Sequence, residues 1–254
     1  MAYFFVFRNG RLILEKTGDG FRIPASECLL PERGKCAYMH DGGEIDGHRC
    51  LGYYTDAEQL ATGLTEKGLR ESYDLLPEAF YRMAGKVWQM VYWDMNSRFC
   101  PVCGAATERT DRICKKCPSC GKEIYTPISP SIMVRISKGD SILMTHARNF
   151  CGSYKGLVAG FVEPGETLEE CVEREVMEET GLKIKNLKYF GSQSWPYPSG
   201  MVVAFTADYD SGELKMQEEE LDSLGFFSRD NMPPVPKKLS MARMMIDDWL
   251  ERKD

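Results

Sequence analysis

The sequence predicts an α+β protein in three segments: a mixed N-terminal unit, a small cysteine ribbon and a second mixed unit. Three observations carry this. Asn9-Gly10 separates two short apolar runs at the start of the chain, a strong short-range hairpin signal. Two Cys-x-x-Cys pairs, Cys100-Pro-Val-Cys103 and Cys117-Pro-Ser-Cys120, stand 13 residues apart. Beyond them, apolar runs of strand length alternate with stretches of helical periodicity.

Composition sets the outer bounds. The chain has 254 residues, 43% hydrophobic and 28% charged, an ordinary globular mixture that excludes a wholly disordered or collagen-like chain. The net charge of −6 gives no global drive to bind nucleic acid. No apolar run approaches the roughly 20 residues that span a bilayer. The run Tyr3–Phe7 is too short for a signal-peptide core and lacks a small-residue cleavage site behind it. The C-terminal Glu251-Arg252-Lys253-Asp254 matches no retention or peroxisomal signal. Ten cysteines without a secretion signal fit a reducing compartment. The expectation is a cytoplasmic protein with no membrane partner.

The elements follow in chain order. Phe4–Phe7 and Arg11–Glu15 read as strands around the turn. Phe80, Met83, Ala84, Val87, Met90 and Val91 recur at helical spacing, predicting a helix over 77–96 that closes the segment 1–96. Residues 97–126 form the expected ribbon. Two pairs of thiolates complete a tetrahedral zinc shell, whereas free buried thiols or a redox pair would not need two matched knuckles. Cys114-Lys-Lys-Cys117 is also Cys-x-x-Cys, but Gly104 and Gly121 follow Cys103 and Cys120. A glycine there tolerates the positive φ that turns amides toward sulfur. The expected ligands are therefore Cys100, Cys103, Cys117 and Cys120, and Cys114 is not one. Cys28, Cys36, Cys50, Cys151 and Cys171 read as small buried residues. Pro127 and Pro130 open the last segment, 127–254, with an extended entry. Within it Ser131–Ile136, Ser141–Thr145, Leu187–Gln193 and Met201–Tyr209 read as strands. Met241, Met245 and Trp249 mark a closing amphipathic helix from Leu239 onward.

Between these strands lies an acidic helix. Thr167 is a plausible N-cap with Glu170 completing a capping box, and Gly181 is a natural stop. Leu168, Cys171, Val172 and Val176 form an apolar stripe. Glu175, Glu178 and Glu179 stand at i, i+3, i+4 and share the other side. Three neighbouring carboxylates repel one another. A solvated acidic face tolerates that, and so does a site for hard divalent cations, which take carboxylate oxygens and bridge to phosphates.

The spacing Gly160-x5-Glu166-x7-Arg174-Glu175-Val176-x-Glu178-Glu179-x-Gly181-Leu182 resembles the Nudix box at every defining position. The resemblance implies the Nudix fold, a mixed β-sheet sandwiched between helices. It also implies hydrolysis of a nucleoside diphosphate linked to another group, with Mg²⁺ or Mn²⁺. Downstream, Ser192-Gln-Ser-Trp-Pro-Tyr-Pro-Ser-Gly200 has two prolines that stiffen it and two aromatics. Those rings either pin a loop to the core or offer rigid faces to a heteroaromatic base. The segment is similar to the Ser-Gln-Pro-Trp-Pro-Phe-Pro-x-Ser signature of bacterial NADH pyrophosphatases. Ser194 replaces its first proline and Tyr197 its phenylalanine. That family also carries an N-terminal domain and a four-cysteine zinc ribbon, so the resemblance covers essentially the whole chain.

By that resemblance Glu175, Glu178, Glu179, Glu220 and the Ala159 carbonyl hold the catalytic Mg²⁺ or Mn²⁺, while the zinc is structural. Glu179 is the candidate for activating water, and Arg174 orients a catalytic glutamate. Phe161 and Trp195 sandwich a base across a homodimer interface. Tyr125, Gln193, Ser194, Pro196, Tyr197, Pro198, Ser199, Gly200 and Ala242 match other substrate contacts, and Arg70 matches more weakly. The register of Glu220 among Glu218-Glu219-Glu220 is uncertain by one. The implied reaction splits NAD(H) into NMN(H) and AMP, and the same chemistry removes an NAD cap from RNA. Lys115-Lys116 would be a local basic patch to guide an RNA tail. No Gly-x-Gly-x-x-Gly turn is present, so NAD(H) reads as substrate rather than redox cofactor. Another dinucleotide or a nucleotide sugar such as ADP-ribose is the alternative substrate. A non-catalytic zinc-ribbon module is the alternative outside enzymes, and the intact box argues against it.

Overall fold

The computed structural model describes residues 2–25, 30–34, 38–148 and 152–252. Cys28, Cys36 and Cys151 lie outside them. Contacts divide the chain into two compact units: 1–128 together with 195–199, and 129–194 together with 200–254.

The first unit begins with the expected hairpin. β1 (Ala2–Arg8) and β2 (Arg11–Lys16) pair antiparallel, with Arg8 opposite Arg11. Asn9 and Gly10 both take positive φ, 51° and 73°, which is what the two central positions of a type I′ turn require. β3 (Phe21–Arg22), β4 (His40–Ile45), β5 (His48–Tyr54) and β6 (Leu64–Lys67) complete the sheet, in the order β3-β2-β1-β5-β4 with β6 also on β2. β1 runs parallel to β5.

Helix α1 (Glu78–Asn96) packs on this sheet through Ala84, Val87, Trp88 and Val91, with the rings of Phe7 and Trp88 5.0 Å apart. The helix is buried more widely than its stripe predicts. Tyr81, Gly85, Trp93 and Asp94 are buried as well. A side that packs against a polar neighbour carries no apolar periodicity to announce it. The ribbon follows as a three-stranded sheet of β7 (Glu108–Arg109), β8 (Cys114–Lys116) and β9 (Glu123–Tyr125).

The second unit is built on a mixed sheet. β10 (Ser129–Lys138) is its centre. β11 (Ser141–Ala147) and β12 (Val158–Phe161) pair with β10 antiparallel, and β14 (Gly200–Gly212) pairs with it in parallel. β13 (Leu182–Trp195) and β15 (Leu221–Ser228) close the two edges. Side chains alternate across a strand. Ile132, Val134 and Ile136 join Val203, Phe205 and Ala207 in the core under helix α2 (Leu168–Thr180). Arg135 therefore points to the opposite face, where it donates to the Met245 carbonyl and the Asp248 carboxylate of helix α3 (Met241–Glu251). The sheet is thus sandwiched between α2 and α3. Met241, Met245 and Trp249 are buried, as their spacing requires. No helix among the described residues is long and apolar enough to cross a membrane.

Candidate active site and zinc centre

In the ribbon, two knuckles of the same geometry face each other. Gly104 and Gly121 hold φ of 75° and 76°, and their amides donate to the Cys100 and Cys117 carbonyls, each at 2.9 Å. The Val102 and Cys120 amides donate to the Cys100 and Cys117 sulfurs at 3.4 and 3.5 Å. The four sulfurs of Cys100, Cys103, Cys117 and Cys120 lie within 4.8 Å of one another, with closest pairs at 3.6 and 3.4 Å. A tetrahedron with Zn–S of about 2.3 Å has edges of roughly 3.8 Å, so the set fits zinc. The Cys120 amide, with the neighbouring thiols, pulls the Cys117 thiol down to about 6, toward the thiolate a metal needs. Cys114 stands outside the cluster, with its thiol donating to the Lys115 carbonyl. The ribbon is a zinc-binding domain with a closed ligand set.

The neighbouring lysine corrects an expectation. Lys115 is buried, with its ammonium 2.5 Å from Asp94 and beside the rings of Trp93 and Tyr38. A sequestered, paired ammonium cannot steer RNA; its long stem is spent on bracing the ribbon against α1. Lys116 alone of the pair is exposed.

Helix α2 opens as its sequence requires. The Thr167 hydroxyl accepts from the Glu170 amide and Glu170 accepts from the Thr167 amide, a complete capping box; Gly181 closes the helix in the left-handed region. Arg174 is the hub of the site. It makes two bonds to Glu166, one each to Glu175 (2.9 Å) and Glu178 (3.0 Å), and one to the Phe161 carbonyl (3.0 Å). The guanidinium and the Glu163 amide hold the Glu166 carboxyl down to about 2. Glu166 is thus a permanent counter-charge that orients Arg174, a function its place in the box did not reveal. Glu175 lies against Gly160: a Cβ there would overlap its carboxyl group. That contact explains the glycine at the head of the box.

The three box glutamates differ in burial. Glu178 is 52% exposed at its side chain. Glu179 is 6% exposed as a residue, and the chain after β14 runs beside the end of α2, with the Gln217 amide donating to the Glu179 carbonyl. Burial first, then the charges of Glu175 and Glu220, push the Glu179 carboxyl up to about 8. Burial raises the Glu175 carboxyl as well, with the charges of Glu178 and Glu220, against the pull of Arg174. Of the three consecutive glutamates, Glu220 is the one whose charge reaches Glu175 and Glu179. The Ala159 backbone lies on β12, opposite Met133, with Phe161 two residues on and 66% exposed. The donor set suits a hard divalent cation: carboxylates crowded with excess negative charge, one of them buried with no ion-pair partner among the described residues. No three of their oxygens come within 4.8 Å of one another; among the described residues the cysteines alone do so.

The aromatic array divides between the two units. Gln193 is bound at both ends of its amide, donating to the Leu239 carbonyl and accepting from the Met241 amide. Its side chain therefore positions the start of α3, where Ala242 is buried. Ser194 is exposed, and Gly200 begins β14. Trp195–Ser199 belongs with the first unit. There Trp195 and Tyr197 stand edge to face at 5.0 Å, with the Arg70 guanidinium over both rings, at 5.3 and 4.4 Å. Pro196 and Ser199 are buried, Pro198 is exposed, and the Tyr197-Pro198 bond is cis. Tyr125 is exposed on the ribbon and donates to Glu123. Tyr81 and Gly85 of α1 also touch the array, Tyr81 through the Tyr197 hydroxyl. Sequence reasoning missed both. A glycine in a helix interior was the available signal, since it is disfavoured there without a packing reason.

Residues 127–247 match the family model of the NUDIX domain, and residues 96–125 match the NADH pyrophosphatase zinc ribbon domain. The chain is similar to the NAD-capped RNA hydrolase NudC of Pseudomonas syringae pv. syringae, 36% identical over 253 residues, covering 96% of this chain and 90% of that protein. It is similar to the NAD-capped RNA hydrolase NudC of Chromobacterium violaceum, 40% identical over 253 residues, covering 90% and 95% respectively. With its box helix, its tetrathiolate ribbon and these relatives, the chain belongs to the Nudix hydrolase family, in the group that joins a NADH pyrophosphatase zinc ribbon to the Nudix domain.

Proposed function

We propose that the protein hydrolyses the pyrophosphate of NAD(H) to NMN(H) and AMP, and removes NAD caps from RNA 5′ ends. The observation that carries this is the intact box helix: Arg174 holds Glu175 and Glu178, and Glu179 is buried beside them. The relatives' names supply the substrate.

The division of labour places zinc and ribbon at 97–126, between an N-terminal domain at 1–96 and the catalytic domain at 127–254. Glu175, Glu178, Glu179, Glu220 and the Ala159 carbonyl would hold Mg²⁺ or Mn²⁺. When bound, such ions neutralise phosphate charge and acidify a water molecule. Arg174 keeps Glu175 and Glu178 in place, and Gly160 leaves room for the Glu175 carboxylate. A Glu179 carboxylate oxygen accepts the proton of the attacking water. Phe161 and Trp195 hold the base between subunits of a homodimer. Tyr125, Arg70, Ser194, Pro196, Tyr197, Pro198, Ser199 and Gly200 line the substrate path, and Gln193 of β13 with Ala242 of α3 shape it. The compartment is the cytoplasm.

The test is turnover of NADH, NAD-capped RNA and ADP-ribose side by side, with Mg²⁺ and with Mn²⁺ and with product identification. NMN(H) and AMP from NADH, and NMN with 5′-monophosphate RNA from capped RNA, are expected. A kcat/KM for ADP-ribose above both would replace this reading with the nucleotide-sugar one.

A further inference from the structure

We infer that Tyr81 of the N-terminal domain is a positioning residue for substrate: its hydroxyl fixes Tyr197, and through Tyr197 the ring face that Trp195 presents to the base. The inference rests on the proposed role of Trp195, and it assigns the N-terminal domain a part in affinity.

The observations lie in one compact unit. Trp195–Ser199 packs with residues 1–128. The Tyr81 and Tyr197 hydroxyls share a short hydrogen bond. Burial and this bond push the Tyr81 phenol well above its ordinary value, so it stays a neutral hydroxyl. Tyr73 braces Tyr81 edge to face at 5.3 Å. Tyr197 meets Trp195 edge to face at 5.0 Å, and Arg70 caps both rings. One turn along α1, a Cβ on Gly85 would stand 2.8 Å from Cγ of Pro196. Helix α1 thus carries a hydroxyl and a notch, four residues apart on one face, that receive consecutive members of the array. Tyr197 stands where the similar signature has phenylalanine. Tyr197 supplies a hydroxyl that would be stranded in a half-buried site without Tyr81.

A lost or stranded hydroxyl partner is a small effect, so the pattern across variants matters more than any one value. KM and kcat for NADH are measured for wild type, Tyr81→Phe, Tyr197→Phe, the double variant and Trp195→Ala. Tyr81→Phe should raise KM about 3- to 10-fold, a range set by one hydrogen bond, with kcat changing less. The double variant should bind better than Tyr81→Phe, because no unpaired hydroxyl is left behind. A wild-type KM in Tyr81→Phe, while Trp195→Ala raises it, overturns this inference alone. An additive rise in the double variant also overturns it. An unchanged KM in Trp195→Ala removes the platform itself, and with it both readings.

Discussion

Glu179 sits in α2 with a buried carboxyl facing two other glutamates, and that placement decides its chemistry. Glu179→Gln keeps the size and removes charge and basicity. We expect kcat to fall at least about 10²-fold with the fold intact; near-normal turnover would reject the role. The same carboxyl makes a pH prediction for protein stripped of divalent metal. Its folded value, about 8, lies above the ordinary 4.5, so the folded state binds a proton that the unfolded state releases. The stabilisation is fully present below about 4.5 and is lost as pH rises through 8. In chelator, wild type should lose stability relative to Glu179→Gln between pH 5 and 8, by on the order of a few kcal/mol. Added Mg²⁺ should narrow that gap, since the cation replaces the proton. Parallel melting curves across that range, with no pH-dependent gap, would show that Glu179 is not proton-loaded.

The ribbon and the box helix illustrate two ways in which short segments become specific. In the ribbon, one trailing glycine per knuckle distinguishes Cys117-Cys120 from Cys114-Cys117, and the structure repeats the same turn at both knuckles. Cys117→Ser should lower zinc content and thermal stability together, because four thiolates share one ion. Cys114→Ser should leave zinc content unchanged. Equal zinc loss in both would place the ligand register elsewhere, and metal analysis on purified protein reads it directly. In α2, the capping box, apolar stripe and glycine stop were all legible, because each depends on neighbours within one helical turn. What periodicity could not show was the burial of Glu179. The chain that bonds to the Glu179 carbonyl, at Gln217, and the Glu220 charge that reaches its carboxyl both come from more than thirty residues away.

In the proposed homodimer, Phe161 and Trp195 would lie on opposite sides of one base, from different subunits. Stacking on a ring face is worth roughly 1–3 kcal/mol in base–aromatic contacts. Trp195→Ala should therefore raise KM for NADH about 5- to 150-fold, if KM tracks binding, and leave Mg²⁺ affinity nearly unchanged. Mixing Glu179→Gln with Trp195→Ala protomers, under conditions where subunit exchange is shown independently, should restore activity at low NADH. One of the two sites in the heterodimer then holds both wild-type residues. Exchange without recovery would mean that each site is built from a single chain.

Local rules carried the hairpin at Asn9-Gly10, the knuckles, the alternating strands of the second unit and the caps of α2, because each is settled by spacing and backbone geometry within a few residues. They failed where a side chain answers to a distant partner. Lys115 reads as half of a surface dibasic pair, yet Asp94 of α1 takes its ammonium into the interior. Tyr81 and Gly85 lie outside the apolar stripe that marks the helix over 77–96, yet they receive Tyr197 and Pro196 from more than a hundred residues downstream. A carboxyl, an ammonium or a hydroxyl has no fixed meaning in the sequence. Burial sets what it costs to leave such a group unpaired, and long-range packing supplies the partner that makes the burial tolerable.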